Sequence, residues 1–237
     1  MKNSLSLFKK DLLHLIYPEL CTVCGNELSV HDMELCPFCT EELRYTYFET
    51  FEGDSPLDKL FWGRIPLVST FAMLNFEKES STQTLLHGIK YKNKRNLAKE
   101  MGRRMGNRII LNMEKYRSVQ ALIPVPLHPR KHHIRGYNQS EMIAEGISSV
   151  LQIPVIKNCL IKTTHTQSQT KKGRFLRWDN VSEVFSISKT LPNHYQHVAL
   201  VDDVITTGST LEAGMQKILE TMPDIQLSVL SLAFAKT

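Results

Sequence analysis

The chain lacks any long hydrophobic run. Its longest apolar stretches reach only about four or five residues, against roughly 20 for a helix that crosses a bilayer, so a helical span is excluded. No A-x-A-like cleavage site follows the first apolar residues, and Asp11 and His14 interrupt them, which argues against a secretory signal. There is no G-x-x-x-x-G-K-[ST] and no G-x-G-x-x-G, which disfavours a P-loop NTPase and a Rossmann dinucleotide site. Apolar residues are not scarce, at 42%, and charged ones reach only 22%, so disorder along the whole chain is excluded as well. A globular, cytoplasmic protein of 237 residues remains, with length for one large or two small domains.

The 29 Lys/Arg and 24 Asp/Glu leave a net charge of +5, but the two signs are unevenly spread. Residues 1–60 hold 5 basic and 11 acidic side chains, whereas residues 61–237 hold 24 and 13. The pI near 8.9 is therefore a property of the second part, which should prefer anionic partners. Within it, eight cations fall in 87–108, three in 128–135 and six in 157–177.

At the N-terminus, Leu5, Phe8, Leu12 and Ile16 recur at helical spacing beside Lys2, Lys9 and Lys10. They predict an amphipathic helix over residues 1–18 that docks on the protein's own core, closed by Pro18. Four of the five cysteines then form two C-x-x-C pairs, Cys21 with Cys24 and Cys36 with Cys39. Two such knuckles supply the four thiolates that Zn²⁺ favours in a structural site, and Gly25 suits the tight turn of the first. C-P-F-C at 36–39 could also be a redox dithiol, but no strand–helix unit surrounds it. Disulfides do not suit a cytosolic chain. The metal role is expected to be structural, because so small a module cannot hold a core alone. Cys159 reads as a small buried hydrophobe.

Near the C-terminus stands H-V-A-L-V-D-D-V-I-T-T-G-S-T-L-E-A, residues 197–213. Val198 to Val201 is an apolar run of the kind found in strands buried on both faces. Asp202 and Asp203 follow, then a turn of Thr206, Thr207, Gly208, Ser209 and Thr210, then a helix from Leu211 to Thr221. A turn entering a helix offers free N–H groups and partial positive charge to an anion. Thr and Ser hydroxyls add donors, and Gly208 lets the backbone come close. The paired carboxylates suit sugar hydroxyls or a hydrated Mg²⁺. Together these features describe a site for a phosphorylated sugar. A plain acidic turn capped by Ser209 is the bland alternative. V-A-L-V-D-D-V-I-T-T-G-S-T resembles the phosphoribosyl pyrophosphate (PRPP) motif of type I phosphoribosyltransferases. The resemblance implies that Asp202 and Asp203 hold the ribose hydroxyls and that Thr206 to Thr210 hold the 5′-phosphate.

Other segments fit around that motif. Ala121 to Leu127 reads as a strand ending in a proline turn, and the basic stretch 128–135 follows, before a helix that starts at Gly136–Ser140. By resemblance this is the pyrophosphate loop, with Arg130 and Arg135 as its contacts. Its three histidines fit a solvated basic loop better than a metal site. Val155 to Lys162 predicts another strand. The polar stretch 163–180 is where the family has a flexible hood that closes over PRPP, with Lys171, Arg174 and Arg177 set to neutralise departing pyrophosphate. Residues 84–113 predict two helices broken near Asn93. Their Lys90, Lys92, Lys94 and Arg95 are either a solvated face or a surface for nucleic acid, with Tyr91 available to stack on a base.

The four-cysteine module, L-L-H-G-I-K-Y-K-N, I-P-V-P-L-H-P-R, R-G-Y-N-Q-S and the PRPP motif together resemble the ComF (ComFC-type) family over nearly the whole chain. That resemblance implies a link to DNA uptake in natural transformation, with other DNA-uptake or recombination proteins as partners. It also implies a zinc ribbon ahead of a phosphoribosyltransferase domain. The expected architecture is α/β, a doubly wound and mainly parallel sheet over 62–237 preceded by the zinc module over 19–61. The expected activity is transfer of phosphoribose from Mg²⁺–PRPP to a nitrogen acceptor. The alternatives are a PRPP-responsive single-stranded-DNA-binding accessory without turnover and a zinc-mediated interaction protein.

Overall fold

The computed structural model describes residues 18–29, 34–111, 114, 116–162, 185–188, 191–192 and 194–236. The expected N-terminal helix and the hood with Lys171, Arg174 and Arg177 lie outside those residues. The strands are β1 (Ser69–Asn75), β2 (Ala121–Pro124), β3 (Leu160–Lys162), β4 (Phe185–Ile187), β5 (His197–Ile205) and β6 (Gln226–Phe234). Four of them form a sheet in the order β1-β6-β5-β2, and every pairing in it is parallel. The β3 and β4 strands make a small antiparallel ribbon. The α/β reading is thus borne out, with the cysteine module ahead of the sheet.

Alternate residues of the central strand serve two cores, as the pleat requires. Ala199 and Val201 face a layer with Phe71, Met73, Leu230 and Leu232, whereas Val198 and Leu200 face one with Ala72, Ile123 and Val229. The helices are α1 (Pro37–Glu41), α2 (Pro56–Leu60), α3 (Ser81–Tyr91), α4 (Arg95–Leu111), α5 (Pro129–Arg135), α6 (Gln139–Leu151) and α7 (Ser209–Thr221). Residues of α3, α4 and α6 join the first layer, and residues of α2 and α7 the second. Asn93, at φ +53°, separates α3 from α4, as the sequence predicts.

Three local differences from the sequence reading have physical causes. The stretch 129–135 is helical: Pro129 sits in its first turn, the His128 side chain accepts from the Arg130 N–H, and Gly136 at φ +71° ends it. The predicted strand over 155–162 is reduced to 160–162 plus a bridge from Val155 to Leu122, because a turn reverses the chain at Asn158, φ +59°. Finally, β5 does not stop before the carboxylates but runs through them to Ile205.

The cysteine module is part of the first layer. Cys21, Cys36 and Cys39 lie in one continuous cluster with Leu28, Leu35, Leu43, Leu86 and Ile89. Behind the module the chain runs antiparallel to β1, with a Tyr45–Leu74 bridge and the Thr46 N–H donating to the Met73 carbonyl at 3.0 Å. This run also covers the outer edge of β1, where backbone groups would otherwise be unpaired.

Candidate functional site

The four cysteine sulfurs lie within 4.8 Å of one another, and Cys24 Sγ is 3.8 Å from Cys36 Sγ. Tetrahedral zinc with Zn–S near 2.3 Å places its sulfurs roughly 3.8 Å apart, so the donor set fits that ion. Backbone N–H groups already point at sulfur, from Cys36 to Cys21 Sγ and from Cys39 to Cys36 Sγ, both at 3.4 Å. Burial would raise the Cys21 thiol, but the N–H groups of Cys24, Cys36 and Val23 hold it down to about 6. Burial and the neighbouring thiols push Cys39 far up. A bound dication would resolve this crowding by taking all four as thiolates. Gly25, at φ +76°, makes the knuckle turn expected of it.

At the far end of β5 the acid pair and the hydroxyl-rich turn are in place. Asp203 is 8% exposed, and its Oδ2 is 3.2 Å from Lys90 Nζ. Asp202 Oδ1 accepts from the Ser140 hydroxyl at 3.1 Å and from the Asp203 N–H at 2.8 Å. Burial drives Asp202 well above the usual carboxylate range and the charge of Asp203 adds to it, against the pull of these donors and of Lys90. Ser140 reaches the pair because Asn138 caps α6 and anchors that corner by donating to the Val125 carbonyl at 3.0 Å. Lys90 is fixed from the other side, since the Tyr137 hydroxyl donates to the carbonyl of Ile89.

The hydroxyl-rich turn is exposed at Thr206, Thr207 and Thr210, and Thr207 Oγ1 lies 3.0 Å from Ser209 Oγ. Gly208, at φ +75°, caps α7. A Cβ there would stand 2.9 Å from the Phe61 ring and 3.3 Å from Leu60, so packing demands glycine even before a ligand is considered. Arg64 underlies the same turn and donates to the Thr207 carbonyl at 2.8 Å.

The predicted cationic residues are dispersed among different tasks. Lys90 belongs to the acid pair. Lys94 pairs with Glu34 of the cysteine module at 3.1 Å. Arg95 donates to the Gly136 carbonyl at 2.7 Å and lies over the Tyr137 ring. Lys92 is exposed. Farther along α4, Arg103 and Arg104 both hold Glu100, and Arg108 pairs with Glu49 while covering Tyr45 and Tyr47. Of the expected pyrophosphate contacts, Arg130 is exposed on α5, and Arg135 stacks over Tyr91 with 5.1 Å to the ring centre.

Sequence reasoning missed Ser140, Arg64 and Lys162. Lys162 ends β3 and is held below the usual lysine range by burial, with Lys131 repelling it and Asp202 opposing. Nothing local marks Arg64 or Lys162, but Ser140 lies inside R-G-Y-N-Q-S, whose whole run was already singled out. A recess of about 490 Å³ opens beside Asp58, Trp62 and Val68, where Arg64 forms part of the wall.

No protein-family model matches the chain. It is 27% identical to Competence protein F of Haemophilus influenzae over 226 residues, 94% of this chain and 93% of that one. It is 26% identical to the DNA utilization protein YhgH of Escherichia coli over 206 residues, 84% of each chain. It is also 29% identical to Competence protein ComFC of Bacillus subtilis over 99 residues, 42% of this chain and 38% of that one. The first match must take in both the cysteine module and the strand–turn–helix unit of the sheet. The chain is a homologue of proteins named Competence protein F, ComFC and YhgH, and its four-cysteine cluster fits a zinc ribbon ahead of the sheet.

Proposed function

We propose that the chain binds Mg²⁺–PRPP at the end of β5 and acts as a phosphoribosyltransferase in DNA uptake. The observation that carries this reading is the order of groups along one continuous element. An acid pair set by Ser140 and Lys90 leads directly into a hydroxyl-rich turn that caps a 13-residue helix. Phosphate finds N–H groups and hydroxyls at that turn. Ribose hydroxyls and a hydrated Mg²⁺ would find the carboxylates of Asp202 and Asp203. Transfer would form a bond from an acceptor nitrogen to C1′ of the ribose and break the bond from C1′ to the pyrophosphate oxygen. No protein nucleophile is required for this. Positioning and neutralisation of the leaving group carry the step, with Arg130 and Arg135 on α5, Lys131 and Lys162 beside the acid pair, and Lys171 and Arg174 as the cations assigned to it. The working place is the cytoplasm, and among the described residues no helix is long and apolar enough to cross a membrane.

Asp203→Asn should weaken Mg²⁺–PRPP binding about tenfold or more by calorimetry, and an unchanged affinity would sink the ligand assignment. A pyrophosphate-release assay with a panel of bases, with and without single-stranded DNA, then identifies the acceptor.

A second reading makes the chain a PRPP-responsive accessory that binds single-stranded DNA without turnover. The names of its relatives point to DNA, and Tyr91, 60% exposed beside Arg135 and Lys92, offers a stacking ring among cations. Because Lys90, Lys94 and Arg95 have partners within the protein whereas Lys92 is exposed, Lys92→Ala should lower the salt dependence of DNA binding more than Lys94→Ala does. The reverse order would move the DNA path off this surface.

A further inference from the structure

Arg64 lies in the turn after α2, far in sequence from the PRPP motif, and nothing in that motif points to it. Its guanidinium is shared between two elements. Nη1 donates to the Leu60 carbonyl at 3.1 Å and to the Thr207 carbonyl at 2.8 Å, while Nε donates to Glu212 Oε2 at 3.0 Å and Nη2 holds the same oxygen.

Both partners bear on the phosphate turn. A trans peptide is planar, with its carbonyl and N–H on opposite sides. Holding the Thr207 carbonyl toward Arg64 therefore turns the Gly208 N–H away from it, to the side where a ligand would arrive. Glu212 poses the opposite problem. It is 8% exposed and sits in the first turn of α7, where a carboxylate uses the partial positive charge that would otherwise attract phosphate. Left alone it would repel a dianion at close range in a poorly solvated place. The forked guanidinium is the geometry best suited to neutralise a carboxylate and hold a carbonyl at once.

We propose that Arg64 is the positioning residue of the phosphate turn. It silences Glu212 and fixes the Thr207 peptide, so that the turn presents donors and little negative charge to a sugar 5′-phosphate. This inference rests on the PRPP reading and adds the element behind the turn that makes it selective for phosphate. The side chains of Leu60 and Phe61, packed under Gly208, belong to the same support.

The experiment compares ribose 5-phosphate with Mg²⁺–pyrophosphate as calorimetric probes of the full chain. In Arg64→Gln, ribose 5-phosphate binding should weaken about tenfold or more, while Mg²⁺–pyrophosphate, held on this reading by the carboxylate pair and the cations of α5 rather than by the turn, should bind as before. Adding Glu212→Gln should restore most of the loss, because the uncompensated charge is then gone. Glu212→Gln alone should tighten ribose 5-phosphate binding, and this arm stands even if Arg64→Gln folds poorly. Arg64→Lys, with charge but no fork, should fall between wild type and Arg64→Gln. The inference is overturned if wild type binds ribose 5-phosphate and Arg64→Gln binds it equally. It is also overturned if the double variant stays as weak as Arg64→Gln, or if both probes lose affinity together. Wild type that binds neither PRPP nor ribose 5-phosphate overturns the functional reading itself, a distinct result.

Discussion

Stripping zinc from the four-cysteine module should lower the melting temperature of the whole chain by more than about 10 °C. Cys21, Cys36 and Cys39 are buried in the layer that holds Leu86, Ile89, Leu97, Met101 and Phe71, so a metal bound there would tie together one wall of the main core. The Thr22 methyl occupies the notch left by Gly88, where a Cβ would stand 2.4 Å from it. Gly88 is two residues from Lys90, the partner of Asp203. Structural zinc in small modules contributes roughly 10–16 kcal/mol of binding free energy, against a typical net stability of about 5–15 kcal/mol. Even a fraction of that is decisive here. Metal analysis should find one zinc per chain, released by chelators together with a broadened, lower melt, and Cys39→Ser should reproduce the change. Because the wall touches α3, binding of Mg²⁺–PRPP should weaken in the same samples. A chelated protein that melts unchanged would make the metal peripheral.

The two uneven charge regions in the sequence meet at two ion pairs. Glu34 meets Lys94, Glu49 meets Arg108, and the Arg104 guanidinium donates to the Thr40 hydroxyl at 3.4 Å. The acidic first part thus reaches both ends of the basic stretch 94–108, while Glu100 and Glu145 hold Arg103, Arg104 and Lys99 between them. Glu49 is itself buried, as is Glu100 under Arg103 and Arg104. Removing one partner of such a pair leaves an uncompensated charge and costs more than the pair contributes. The basic helix therefore has a structural task first. Beside it, the corner of Tyr91 and the exposed Lys92 stays open to anions.

What could be read from sequence follows the same division between local and distant. The strand–acid–turn–helix unit around Asp202 and Gly208 is contiguous, and so are the two cysteine knuckles, so residue type and spacing specify them. Helix α5 departs from the loop expected at 128–135: His128, Pro129 and Gly136 are its cap, first turn and stop, local signals that the density of cations masks. Arg64 against Glu212 and Lys90 against Asp203 were not legible. Their partners are over a hundred residues away, and no local pattern records which arginine or lysine of many will be brought there. Likewise Gly208 read as a ligand-approach glycine, and the Phe61 ring that also demands it became visible only in the fold.

The glycines of α4 and α6 give the second large effect. Added Cβ atoms would come within 2.1 Å of the Ile143 carbonyl oxygen at Gly102, and within 2.0 Å of the Lys99 carbonyl oxygen and 2.7 Å of the Arg103 nitrogen at Gly146. These neighbours are backbone, so neither helix can yield by turning a side chain. An alanine normally favours a helix over glycine by about 1 kcal/mol, whereas overpacking costs roughly 1–3 kcal/mol or more. Here overpacking should win: Gly146→Ala is expected to destabilise by about 3 kcal/mol, lowering the melting temperature by roughly 6–12 °C. Gly214 in α7 supplies the contrast, because its added Cβ would meet Leu160 and Leu200 at 3.4 and 3.5 Å, an ordinary contact. Gly214→Ala should leave stability unchanged or raise it by up to about 1 kcal/mol. Chemical denaturation of both variants checks the pair. If Gly146→Ala proved as stable as Gly214→Ala, the close approach of α4 and α6 would be wrong, and with it the placement of Ser140 at the acid pair, since α6 carries both.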